Sequence, residues 1–330
     1  MRPGERAERG VRTVAVALAA ALLCQCGEGP QAPAPTPRPL RIGIDLWAGY
    51  YPLVLAEDLG YLREEGVAVE LSIPGNTDHM LANFAAGDYD GVCVSLGDVI
   101  TLTRNVDDVR LILVSDESSG GDQILARTPV TSADQLRGKR IGTNLGGFGE
   151  LFVRRMLDRH GVGPAEVQWV DLDAAEIPER LAAGDIDIGH TWEPYASQAM
   201  AKGMHCCFTS ADTPGLILDG LITRGHAVEE RGEDLRRMTR AWLRAVDWWR
   251  EHPADGDRRI ETRLGLPKGE ARPVGIKILD RRDNHLLMRE DEGPAPLGKV
   301  ASQYVDFFVS RGLLLQRPEP RALFDATFLP

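Results

Sequence analysis

The chain has 330 residues, room for two ordinary domains. Its 43% apolar and 26% charged residues describe a globular protein and exclude a disordered or fibrous one. A formal net charge of −11, from 38 basic and 49 acidic residues, excludes the basic footprint that nucleic-acid binding needs.

Residues 1–12 carry four Arg and two Glu, and Val14 to Leu23 is an unbroken apolar run of ten, followed by Cys24 and Cys26. A basic start before a short apolar core reads as a secretory signal peptide. A spanning helix would need roughly 20 apolar residues, and no later stretch supplies them, so the mature chain is expected to be soluble. The segment resembles the bacterial lipoprotein pattern, although Leu23 and Gln25 stand where a small residue normally precedes the cysteine. That resemblance implies lipidation at Cys26 or Cys24 and a membrane anchor. Gly27 to Pro39 holds five Pro and no apolar periodicity, the composition of a semi-rigid spacer. Residues 1–26 are therefore assigned to the signal peptide and 27–39 to a linker. Residues 1–39 carry five of the basic and three of the acidic residues, which leaves the body at −13.

The body reads as one unit written twice. Arg41-Ile42-Gly43-Ile44-Asp45 returns as Arg140-Ile141-Gly142-Thr143-Asn144, 99 positions on, and Ala85-Ala86-Gly87-Asp88-Tyr89-Asp90 as Ala182-Ala183-Gly184-Asp185-Ile186-Asp187, 97 positions on. Within each copy, strand and helix patterns alternate. The first copy predicts a helix at about 52–64, a strand over 67–73, a helix from Thr77 stopped by Gly87, and buried strands over 91–95 and 109–114. The second predicts a helix over 149–160, a strand over 167–172, a helix over 177–183 and a strand over 186–191. Such alternation builds an α/β fold of mainly parallel sheets flanked by helices, here in two lobes. A long helix is predicted over 234–252, with Trp242 and Trp249 as core residues, and another over about 298–311. Residues beyond about 222 have no partner in the second copy and are expected to return to the first lobe. Lobe one is then 40–120 with 222–330, and lobe two is 121–221. Two chain crossings, near 118–124 and 218–223, form a hinge.

Several segments, in this order, resemble the nitrate, sulfonate and taurine type of solute-binding protein, a thiamine-precursor-like group. They are Trp47-Ala48-Gly49-Tyr50-Tyr51-Pro52-Leu53, Ser118-x-Gly120-Gly121-Asp122, Asp134 to Gly142, Thr191-Trp192-Glu193-Pro194-Tyr195 and Pro214 to Asp219. The resemblance covers about residues 40–330. It implies a type 2 periplasmic-binding fold, a small-molecule ligand, permease and ATPase subunits of an ABC transporter as partners, a periplasmic or otherwise extracytoplasmic location, and no cofactor. A monomer is expected.

Ligands of open α/β sheets bind beyond the carboxyl ends of the strands and at domain interfaces. That places Asp45, Trp47, Tyr50, Ser95, Asp98, Asp116 and Ser118 from the first copy, and Asp122, Thr143, Gly146, Gly147, Trp192, Glu193 and Asp219 from the crossings and the second, as candidate ligand contacts. The aromatic rings would wall the ligand or pack between lobes. The six acids repel unless a cation, proton or donor compensates them. They point to a cationic or N–H-rich ligand, or else they cap helices and bond hinge amides. Gly146 and Gly147 would let backbone amides approach an anion, which stays open. His190 reads as a satisfied core histidine. Cys206-Cys207-Phe208 resembles the cysteine-rich segment of enzymes that make the thiamine pyrimidine precursor. An enzyme is the alternative in a different class, and a ligand-binding sensor module for an extracytoplasmic regulator is another. No metal motif appears.

Overall fold

A computed structural model describes residues 38–289 and 296–330. The signal-like segment, Cys24, Cys26 and the spacer up to Pro37 lie outside these residues.

The first copy opens with β1 (Leu40–Gly43), β2 (Val69–Ser72), β3 (Gly91–Ser95) and β4 (Val109–Ser118). Between β1 and β2 the predicted single helix is two, α1 (Tyr51–Asp58) and α2 (Tyr61–Glu64), because Gly60 takes a left-handed conformation at φ 79° and breaks the run. Helix α3 (Thr77–Ala86) is capped at its start by the Asn76 side chain and ends at Gly87, φ 90°. Helix α4 (Leu96–Leu102) follows β3 directly. The second copy contributes β5 (Asp122–Ala126), β6 (Arg140–Thr143), α5 (Phe148–Arg159), β7 (Gln168–Asp171), α6 (Ile177–Ala183), β8 (Ile188–Trp192), α7 (Tyr195–Ala201) and β9 (His205–Thr209). The remainder is β10 (Leu218–Arg224), α8 (Gly225–Glu251), α9 (Pro253–Leu264), β11 (Ile276–Ile278), α10 (Arg281–Met288) and α11 (Pro296–Ser310). Helix α8 begins nine residues before the predicted Asp234 and is interrupted at Arg231. Trp242 and Trp249 on it are buried, as their helical spacing implies.

Two sheets result, in the orders β11-β4-β10-β3-β1-β2 and β7-β6-β8-β5-β9. In the first, β1 to β4 run one way while β10 and β11 run against them. In the second, β5 alone opposes the other four. The reversed strands β5 and β10 are the ones that receive the chain as it passes between sheets. Residues beyond 222 do return to the first sheet and its flanking helices. The second passage lies earlier than predicted: Leu218 to Thr223 are buried within β10, and the connection is Ser210 to Ile217. Pro214 to Asp219, which resembles a return crossing, spans both the end of the connection and the start of β10, so the crossing reads a few residues late.

The two connections run side by side. The Ser118 and Ser210 hydroxyls are 2.8 Å apart, the Gly120 amide donates to Ser210 Oγ at 2.6 Å, and the Ser118 amide donates to the Ile217 carbonyl at 3.0 Å. Gly275 packs on the same place, where a β-carbon would fall 2.5 Å from Gly120 backbone.

Candidate functional site

A narrow cleft lies between the two sheets, at the carboxyl ends of their parallel strands and the amino ends of the reversed β5 and β10. From the first sheet it is lined by Asp45, Trp47 and Tyr50 after β1, by Thr77 and Met80 of α3, by Cys93 to Ser95 of β3 with Asp98 of α4, and by Asp219 of β10. From the second come Asp122, Phe148 and Trp192. A wider hollow of about 840 Å³ adjoins it and shares Thr77, Asp98, Phe148 and Trp192; its far wall is Asn144 to Gly149, with His190.

Each acid of the narrow cleft, and Asp116 behind it, has a donor within the chain. Asp45 accepts from the Thr77 hydroxyl at 2.7 Å. Trp47 Nε1 donates to Asp116 Oδ1 at 2.9 Å, and the Ser115 hydroxyl donates to Asp116 Oδ2 at 2.7 Å. The Tyr50 hydroxyl donates to Asp219 Oδ2 at 2.9 Å. Ser95 caps α4: its oxygen accepts the Asp98 amide, and its proton goes to Asp98 Oδ2 at 2.7 Å. Asp122 Oδ1 sits 3.0 Å from His190 Nε2, and His190 Nδ1 lies 3.4 Å from the Thr143 hydroxyl. The second oxygen of Asp219, Oδ1, is buried with no partner.

Burial dominates the electrostatics. It pushes the Asp98 carboxyl up to about 6 against the two hydrogen bonds from Ser95. It drives Asp116 and Asp219 upward too, with neighbouring carboxylates adding to the effect. The Tyr50 and Cys93 protons are held for the same reason.

Of the sequence candidates, Asp45, Trp47, Tyr50, Ser95, Asp98, Asp122, Trp192 and Asp219 meet in the narrow cleft, and Gly146 and Gly147 line the adjoining hollow. Of the other four, Asp116, Ser118 and Thr143 are buried away from the cleft lining and Glu193 is half-buried outside it. Asp116 is fully buried under Trp47. Ser118 holds the connection through Ser210 and accepts the Asp122 amide. Thr143 is buried beside His190. Glu193 accepts from Gln123 and from the Ser197 amide.

Sequence reasoning left out Phe148 and Thr77. Phe148 stands one residue past the flagged glycine pair, and its ring lies 5.9 Å from Trp192 and 5.5 Å from His190. Thr77 marks the start of α3, which points into the space after β1. His190 is a satisfied buried histidine, as read, and it also borders the hollow. The hollow's amides are partly committed: Leu145 N–H donates to Asp171 and Gly146 N–H to Glu150. Among the described residues, no group of three or more His, Cys, Asp or Glu side chains is placed to hold a metal ion. No helix among them is long and apolar enough to cross a membrane.

The family description NMT1/THI5 like matches residues 47–256. A protein named "Putative binding protein YtlA" of Bacillus subtilis (strain 168) is 24% identical over 62% of this chain, and the match spans 64% of that protein, just under two thirds of its length. The 4-amino-5-hydroxymethyl-2-methylpyrimidine phosphate synthase of Aspergillus parasiticus is 24% identical over 70% of each chain. Among solved structures, the ligand-binding component of an ABC-type import system from Staphylococcus aureus, with zinc bound, aligns with a TM-score of 0.73 at 10% identity, covering 89% of this chain and 98% of that one. The periplasmic aliphatic sulphonate binding protein SsuA from Escherichia coli aligns with a TM-score of 0.69 at 18% identity, covering 87% and 92%. These likenesses establish the two-sheet binding-protein fold. They also agree in kind with the type read from the Trp47, Ser118 and Trp192 segments.

Proposed function

We propose that this chain, which belongs to the NMT1/THI5-like family, is the extracytoplasmic solute-binding component of an ABC importer. The first sheet and its helices (residues 40–118, with 218–289 and 296–330) form one lobe and residues 122–209 the other, hinged on the paired connections. The observation that carries this reading is the cleft itself, lined from both sheets at their strand ends, with Trp47, Tyr50 and Asp219 facing Asp122, Phe148 and Trp192. A small polar ligand there touches both lobes only when they are together, so binding shifts the population toward the closed form, which a permease can recognise. The amino-terminal segment would direct export and, through Cys26 or Cys24, lipid attachment.

An enzyme of the pyrimidine-forming kind is the competing reading, since one relative carries that name. The placement of the cysteines favours binding. Cys206 and Cys207 lie on β9, and neither is among the cleft's lining residues. Burial pushes the Cys207 thiol up to about 12, the wrong direction for a nucleophile.

Small-angle scattering tests closure. Saturating ligand is expected to reduce the radius of gyration, and Trp192→Ala to weaken affinity by tenfold or more without changing the melting temperature by more than a few degrees. An unchanged radius with bound ligand would sink the closure account.

A further inference from the structure

One carboxylate oxygen of Asp219 is buried and partnerless. Asp219 is 7% exposed, and its Oδ2 is taken by Tyr50 while Oδ1 is buried without a donor. Buried acceptors are nearly always satisfied, so an orphan on a side chain that lines the cleft needs an explanation. Asp45, Asp98, Asp122 and Asp219 all line that cleft, and no Lys or Arg is among its lining residues. Asp122 is matched by His190, which leaves Asp45, Asp98 and Asp219 with hydroxyl donors and no basic partner. The adjoining hollow adds Asp78, Asp171 and Asp173 against His190, which is paired with Asp122, and Arg104, whose Nε donates back to the Thr101 carbonyl of α4. The opposite wall is aromatic, with Phe148 and Trp192 inclined at 31° to one another.

We infer that the cleft selects a small organic cation bearing N–H donors, whose charged nitrogen donates to Asp219 Oδ1 and whose body lies against Phe148 and Trp192. This rests on the solute-binding reading and narrows its ligand class. An ammonium or amidinium N–H satisfies the orphan acceptor, and the ring faces attract positive charge. Burial and neighbouring carboxylates drive the Asp219 carboxyl upward and burial drives Asp98 upward, a setting that a nearby positive charge would relieve. An anion would meet four acids, with the Gly146 amide already given to Glu150.

The test is calorimetric titration of the full chain at pH 8 with shape-matched compounds of three charges: benzamidine, benzamide and benzenesulfonate, with phenethylamine and agmatine as further cations. At least one cation is expected to bind, and benzamidine to bind at least tenfold more tightly than benzamide. Asp219→Asn keeps the side-chain shape and an acceptor for Tyr50, and is expected to reduce that preference to less than threefold. Equal affinities, tightest binding by the sulfonate, or an unchanged preference in Asp219→Asn overturns the inference and leaves the solute-binding reading standing. Silence of all three charge classes overturns both. If Asp219→Asn does not fold, the matched set on the unaltered chain decides alone.

Discussion

Asp98 links the cleft to stability. Its carboxyl titrates at about 6 in the folded protein, up from an ordinary 3.8, because burial outweighs its bonds to Ser95. The folded state therefore binds more protons than the unfolded chain between those values. The associated stability is full below the lower value and is lost as pH rises through the upper one. Asp187 works the other way: Arg140 holds it down to about 2, so its contribution is present above 3.8 and lost as pH falls through 2. The melting temperature of the ligand-free protein is expected to peak near about pH 4–5 and to decline toward neutrality. Differential scanning calorimetry across pH 3 to 8 checks this, and Asp98→Asn should flatten the upper limb. At the same scale, Gly49 shows why the aromatic segment begins as it does. A β-carbon there would stand 1.7 Å from Asp116 Oδ2, so only glycine lets the chain pass under Trp47.

The internal repeat acquires a physical meaning at the level of elements. In the first copy the Arg41 amide donates to Asp90 Oδ2 at 2.9 Å and its guanidinium to the Gly87 carbonyl at 2.9 Å. In the second the Arg140 amide donates to Asp187 Oδ2 at 3.0 Å and its guanidinium to the Gly184 carbonyl at 2.7 Å. Each set ties the start of a strand to the glycine that ends the helix leading into its neighbouring strand, β3 or β8, at the end of the sheet away from the cleft. Asp90→Ala should cost about 2–4 kcal/mol and Asp187→Ala, whose side chain is more exposed, about 1 kcal/mol, by urea denaturation. Ligand affinity should be unchanged in both. The repeated motifs were legible because each is short and returns at nearly one offset, but nothing in them said that the Arg of one bonds the Asp and Gly of the other. Strand and helix order was legible for a similar reason, since periodicity is local. The pairings of Trp47 with Asp116 and Tyr50 with Asp219 were not: they span 69 and 169 positions. Reading along the chain, the rings look like walls and the acids like ligand contacts, and nothing local says that one is the other's donor. The break at Gly60 was missed because the apolar pattern continues across it.

At the scale of the whole molecule, the flanks of the two sheets are joined beyond the connections. Glu150 of α5 is 1% exposed and takes Arg154 from its own helix together with Arg311, just past α11, each at 2.8 Å. A buried carboxylate between two guanidinium groups holds its proton poorly, and its titration is lowered accordingly. Removing Arg311 weakens the tie across the cleft's rim while Arg154 keeps Glu150 paired. Arg311→Ala is expected to enlarge the ligand-free radius of gyration and to weaken ligand affinity by about three- to tenfold, a coupling of about 1 kcal/mol. Scattering and titration on the same sample separate that shift from a loss of folding. The position of β10 has a consequence of another kind. It lies between β3 and β4, yet it is reached only after the whole second sheet's sequence. As the chain emerges from a ribosome or a translocation pore, β3 and β4 have no strand to join them until residue 224 is out. The second sheet, being contiguous from 122 to 209, can assemble meanwhile. Long-range strand insertion of this sort is slow and leaves apolar edges open, so the nascent first half stays unfinished, threadable and dependent on its own tail.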